Sequence, residues 1–102
     1  MKFSNKNRKY LKYLLEKNCE LVYNDEDHKN CHLFLNGIKI DEIRKGGNTP
    51  NDCSSLERVK EYLIERTVVS YFENISYLTK NMIYANKLID ILIRNEKRNS
   101  LM

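Results

Sequence analysis

Four side chains able to ligate a metal or act as a nucleophile fall within 14 residues: Cys19, His28, Cys31 and His32. Thiolate and imidazole are the donors zinc prefers, and a structural site draws them in closely spaced pairs. His28 and Cys31 have such spacing, whereas Cys19 stands alone. If residues 31–35 form a strand, Cys31 and His32 point to opposite faces and do not share an ion. These residues therefore predict no metal and no cofactor. A thiol nucleophile needs a base within reach and a third group to orient it. His28 beside Cys31 offers the first two, but no Gly-rich oxyanion turn accompanies them. Asp25 and Asp27 are paired carboxylates in an open acidic stretch, best read as a solvated turn. Gly46-Gly47 is the lone glycine pair, without the pattern of a phosphate-cradling loop. The residues predict a protein that is not an enzyme.

Two non-catalytic chemistries remain. The net charge is +4 and uneven: Lys2, Lys6, Arg8, Lys9, Lys12 and Lys17 face only Glu16 in the first 17 residues. A basic arm of this kind tracks phosphate. Lys6, Arg8, Lys9 and Lys12 are the candidate nucleic-acid contacts. The second chemistry is apolar. If residues 19–24 and 68–73 are both strands, alternation places Val22 and Tyr71 opposite the core-facing residues. Phe34 and Ile83 oppose their neighbours likewise. Val22, Phe34, Tyr71 and Ile83 are the candidate partner-binding residues, since apolar surface on a second sheet face needs a cover.

The elements that must position these groups follow from pattern. Length and composition fit one domain: 102 residues, 41% hydrophobic and 31% charged. Three cysteines at irregular spacing are no disulfide framework. Residues 1–12 are polar and basic with no apolar stretch behind them, which predicts no secretory leader. No apolar run approaches the length of a membrane span. The expected setting is a reduced cytoplasm, that of a host cell if the protein is viral. Thirteen Asn, twelve Lys, nine Ile and seven Tyr against one Ala and one Pro reflect an A/T-rich genome.

Residues 5–17 read as a helix through Leu11, Leu14 and Leu15. Cys19–Asn24 reads as a strand, residues 25–30 as a polar turn, residues 31–35 as a strand and Ile38–Ile43 as another. Asn36-Gly37 between the last two is a type I′ hairpin signal. Residues 46–53 read as a linker around Pro50. Ser54 or Ser55 starts a second helix, predicted to end at Arg66, and Ser54 with Glu57 has capping-box spacing. Residues 68–73 and 82–84 read as strands. Residues 87–94 fit a strand or a short helix.

A shift of 49 residues aligns KYLLEK…LFLNGIKID with EYLIER…MIYANKLID, with five identities in 38 pairs. This predicts an α+β fold of two diverged helix–strand–strand(–strand) repeats about a pseudo-twofold axis. The units would be about 5–45 and 54–95. Leu14 and Leu63, Leu33 and Met82, and Leu35 and Tyr84 would then all point inward. The two motifs, the length and the composition resemble the small orphan proteins of archaeal filamentous viruses. That resemblance implies no assigned chemistry. Residues 5–66 alone, read as helix, three strands and helix, also resemble HicA-type toxins, which implies a double-stranded-RNA-binding-like fold and an RNA-cleaving histidine. His28 would be that histidine, but Glu26-Asp27-His28-Lys29 replaces the Gly-Ser-His setting of that family. The expected function is a protein–protein interaction module of a viral or mobile-element accessory protein. It would hold a host or viral peptide, or a second copy of the chain, in a groove between the repeats. Nucleic-acid binding through the basic first helix is the alternative.

Overall fold

Asn36 and Gly37 take φ of 52° and 81°, the two positive values a type I′ turn requires, and they fold two strands into a tight hairpin. The computed structural model describes residues 5–24, 27–43, 55–73 and 80–100. Their order is α1 (Asn5–Asn18), β1 (Cys19–Asn24), β2 (Asp27–Leu35), β3 (Ile38–Ile43), α2 (Leu56–Glu73) and α3 (Lys80–Ser100). The fold is α+β, with three helices and an antiparallel sheet of order β1-β2-β3.

Alternation along the strands decides which sheet face is covered. Cys19 pairs with Leu35, Leu21 with Leu33, and Leu33 with Asp41. This face packs into a core completed by Leu11, Leu14 and Leu15 of α1, Val59, Leu63, Ile64 and Val68 of α2, and Ala85, Ile89 and Leu92 of α3. Helix α2 contacts β2 and β3, α3 contacts β3, and α1 lies against α2. One irregularity matters. Leu33 pairs with Asp41 but Phe34 pairs with Lys39, so Ile40 is the extra residue of a β-bulge. The bulge turns both Ile40 and Asp41 inward, where simple alternation would bury only one of them.

The buried Asp41 is held by α2. Arg66 donates from Nε to Oδ2 at 2.9 Å and from Nη2 to Oδ1 at 2.7 Å, and its Nη2 also reaches the Glu42 carbonyl at 3.0 Å. The guanidinium lies over the Tyr62 ring, 5.3 Å from its centroid. A fork-to-carboxylate pair of this kind fixes α2 against β3 in one register.

Helix ends follow local chemistry. Ser55 caps α2: its Oγ accepts from Arg58 N at 3.3 Å, and its carbonyl accepts from Val59 N at 3.0 Å. Ser54, the other candidate, lies outside the described residues, as do Cys53 and the expected linker 46–53. Asn18 donates its side-chain amide to the Leu14 carbonyl at 2.7 Å, satisfying a last-turn acceptor as the chain passes directly into β1.

Several expectations are corrected. Residues 27–30 belong to β2, so only residues 25–26, outside the described residues, separate β1 from β2. Residues 68–73 form the last turns of α2, not a strand. The β-branched run Thr67-Val68-Val69 suits a strand locally. The buried stripe Val59, Leu63, Ile64, Thr67, Val68 nevertheless continues at helical spacing, and Thr67 Oγ1 donates to the Leu63 carbonyl at 2.8 Å. Residues 82–84 and 87–94 likewise lie in α3, because Ala85, Ile89 and Leu92 recur at three- and four-residue intervals. The second half therefore contains no strand among the described residues, and the helix–strand–strand repeat is not present. The aligned motifs share an apolar rhythm, but three strands answer to one copy and a helix to the other. Tyr84, expected inward beside Leu35, is exposed, while Leu14, Leu63, Leu33 and Leu35 are buried as expected. Cys19 is also a core residue.

Candidate nucleic-acid interface

Helix α1 divides its five cations between two directions. Arg8 and Lys12, one turn apart, face α2. Arg8 Nη2 meets Glu73 Oε1 at 3.1 Å, and Lys12 Nζ meets Glu65 Oε1 at 3.2 Å and Glu61 Oε1 at 3.7 Å. The pairs run antiparallel, as the helices do. The hydrogen bond that Lys12 donates to Glu65 is the main reason its ammonium lies above the usual 10.5. Arg8 also lies over the Phe72 ring, 5.5 Å from the centroid. These two of the four expected nucleic-acid contacts are thus committed to helix packing.

Lys6, Lys9 and Lys17 are exposed to solvent with no acidic partner among the described residues, and Lys9 also borders a cleft between α1 and α2 beside Glu65 and Val69. Tyr10 and Tyr13 lie between them, 44% and 59% exposed. Lys17 Nζ sits 6.0 Å from the Tyr13 ring centroid, within cation–π reach. Glu16 is the one acid on this outward face. Sequence reasoning found Lys6 and Lys9 but missed Lys17, Tyr10 and Tyr13. The i, i+4, i+7 spacing of Lys6, Tyr10 and Tyr13 was the available signal, obscured because Tyr10 also borders the leucine stripe.

The charge is segregated at the level of the fold. Helix α3 carries Lys80, Lys87, Arg94, Lys97 and Arg98 against Asp90 and Glu96, and α1 carries five cations against Glu16. The described strands and α2 together carry an excess of acids. The two cationic helices flank α2 and meet across a cleft of about 260 Å³. Asn7, Tyr10 and Leu11 line it from α1, Tyr71 and Phe72 from α2, and Ile93 and Lys97 from α3. The Tyr71 hydroxyl donates to Asp90 Oδ1 at 2.7 Å, and burial together with that bond pushes its pKa up to about 12. Tyr71 meets Phe72 edge to face, with centroids 5.2 Å apart. Both aromatic walls are thus pinned, Tyr71 by α3 and Phe72 by Arg8.

The four expected partner-binding residues are not brought together. Val22 and Phe34 lie on the sheet face turned away from the helices, on a diagonal of adjacent strands. Tyr71 belongs to the helical layer and is tied to Asp90, while Ile83 is 56% exposed on α3. A groove between two repeats is not formed by the described residues, because those of the second half are the helices α2 and α3, with no sheet among them. On the outer sheet face, Val22 opposes His32 and His32 opposes Glu42. His32 Nδ1 lies 3.2 Å from Glu42 Oε2 but outside hydrogen-bonding geometry. Lys39 also reaches Glu42 at 3.2 Å.

The candidate metal and nucleophile residues are separated. Cys31 is fully buried on the core face, while His32 stands on the outer one. Burial pushes the Cys19 thiol up to about 12, which keeps it protonated and unreactive. His28 falls in β2, and its side chain lies outside the described residues. Among the described residues no group of three or more His, Cys, Asp or Glu side chains gathers to hold an ion, and no helix is long and apolar enough to cross a membrane. Comparison of the chain with family models, with curated proteins and with solved structures finds no match.

Proposed function

We propose that the protein binds nucleic acid through the outward face of α1. Lys6, Lys9 and Lys17 contact phosphates, and Tyr10 and Tyr13 lie against sugar or base. The observation that carries this reading is the division of labour on α1. Arg8 and Lys12 are neutralised by Glu73, Glu65 and Glu61, while the remaining three lysines face solvent around two exposed tyrosines. Cations needed only for helix packing have no reason to recur on the opposite face. Lysines interleaved with aromatic rings are what a phosphate backbone and its bases require. Segregation of acids to the sheet and α2 supports the same orientation, since like charge on the docking face would repel the ligand. Three phosphate contacts predict that log Kobs falls with log salt at a slope of about −2 for a single strand and about −3 for a duplex. Fluorescence anisotropy over a salt series tests this. A measurable affinity with that slope supports the reading, and no binding at low salt overturns it.

A second reading rests on a different surface. Val22 is 44% exposed beside the half-buried Phe34, on the sheet face that the described helices leave uncovered. An apolar pair rimmed by Glu20, His32, Lys39 and Glu42 suits a protein partner. This retains the interaction-module reading in a reduced form, on one sheet face in place of a groove.

A further inference from the structure

We infer that the cleft between α1 and the C-terminal half of α3 is a binding site for one unpaired nucleobase, so that the protein prefers single strands to duplex. The inference rests on the proposed function and specifies its ligand. The site is built from three helices, with Tyr10 on one wall and Tyr71 and Phe72 on the other. Its volume of about 260 Å³ is below the roughly 300–1,000 Å³ of sites for drug-sized ligands. It therefore suits a single ring system and not a whole nucleotide. An apolar floor of Leu11 and Ile93 receives the face of a base, and stacking on aromatic walls needs no particular base identity.

Charge complementarity selects a base carried on a phosphate backbone over a free neutral aromatic. Lys6 stands one turn before Tyr10 on the same outward face of α1, and Lys97 lines the cleft from α3. A strand crossing the mouth places its phosphates against cations while one base turns in. The walls are also preorganised. Tyr71 is fixed by its 2.7 Å bond to Asp90, and Phe72 by the guanidinium of Arg8. Tyr10 is the solvent-exposed member of the lining, at 44%. Duplex DNA keeps its bases stacked and paired, so it gains the phosphate contacts without the cleft.

The test compares a short oligo(dT), an abasic strand of equal length and a blunt duplex, each binding the full chain at low salt. Oligo(dT) is expected to bind about 5- to 100-fold more tightly than the abasic strand. Tyr10→Ala should bring oligo(dT) down to the affinity of the abasic strand without changing the salt slope, and Tyr10→Phe should retain the advantage. Circular dichroism of both variants guards against loss of fold, which an exposed position makes easy to avoid. Equal affinity for oligo(dT) and the abasic strand, or an oligo(dT) preference untouched by Tyr10→Ala, overturns the base site and leaves the phosphate-binding reading standing. No binding of any of the three overturns both.

Discussion

Arg66 and Asp41 meet through two parallel hydrogen bonds of 2.9 and 2.7 Å, joining the middle of α2 to a bulged position of β3. Asp41 is only 3% exposed. Removing Arg66 strands a buried carboxylate. Arg66→Met is expected to destabilise the fold by about 2–4 kcal/mol, whereas Asp41→Leu with Arg66→Met recovers most of that loss. Urea denaturation of the two single variants and the double variant checks this.

The same pair gives a pH dependence. Burial is the largest influence on Asp41 and lifts its carboxyl above the usual 3.8, while the Arg66 fork and the Glu42 amide pull the other way. Arg66→Met removes that main opposition, so the carboxyl rises further. A carboxyl raised in the folded state favours folding when protonated and loses that advantage as pH increases through its folded value. The deficit of Arg66→Met relative to the parent chain is therefore expected to be widest near neutrality and to narrow as pH falls toward 4. Denaturation midpoints measured across that range decide it.

Tyr71 should ionise well above the ordinary tyrosine value. Its pKa of about 12 follows from burial and from donation to Asp90. The stability that this raised value contributes is complete below the ordinary value of about 10 and is lost as pH climbs through 12. Tyr71→Phe should delete a step near pH 12 from an ultraviolet tyrosinate titration and cost about 0.5–1 kcal/mol for the lost hydrogen bond.

Gly37→Ala isolates backbone strain. A Cβ at position 37 meets nothing within 4 Å, so the cost arises from φ of +81° alone. The expected loss is about 1–2 kcal/mol. Asn36 beside it already tolerates the left-handed region and should be less sensitive to replacement by Asp or Gly.

The first half of the fold was legible because local and tertiary signals agree there. The leucine stripe of α1, the alternation in β1 and the Asn-Gly turn each point to the element that forms. Residues 68–73 and 82–84 were misread because β-branched and aromatic side chains favour strands locally. Packing of α2 on β2 and β3, and of α3 on β3, overrides that preference over longer helical stripes. The Asp41 bulge was hidden because one extra residue changes which side chain turns inward without changing composition. On α1, charge marked the basic helix but not which of its cations pair with α2. Which cations are spent on Glu61, Glu65 and Glu73 depends on how α2 lies against it, a relation between residues about 50 positions or more apart.

On the proposed function, the exposed lysines of α1 bind nucleic acid and the cations paired with α2 do not. The direct measurement is the affinity of two charge variants for one labelled single strand at low salt. Lys6, Lys9 and Lys17 all changed to Glu should abolish binding with the fold intact. Arg8 and Lys12 both changed to Met should leave the affinity within about twofold while lowering stability by about 0.5–2 kcal/mol through lost ion pairs. Equal loss in both variants, or loss only in the Arg8 and Lys12 variant, would contradict the account.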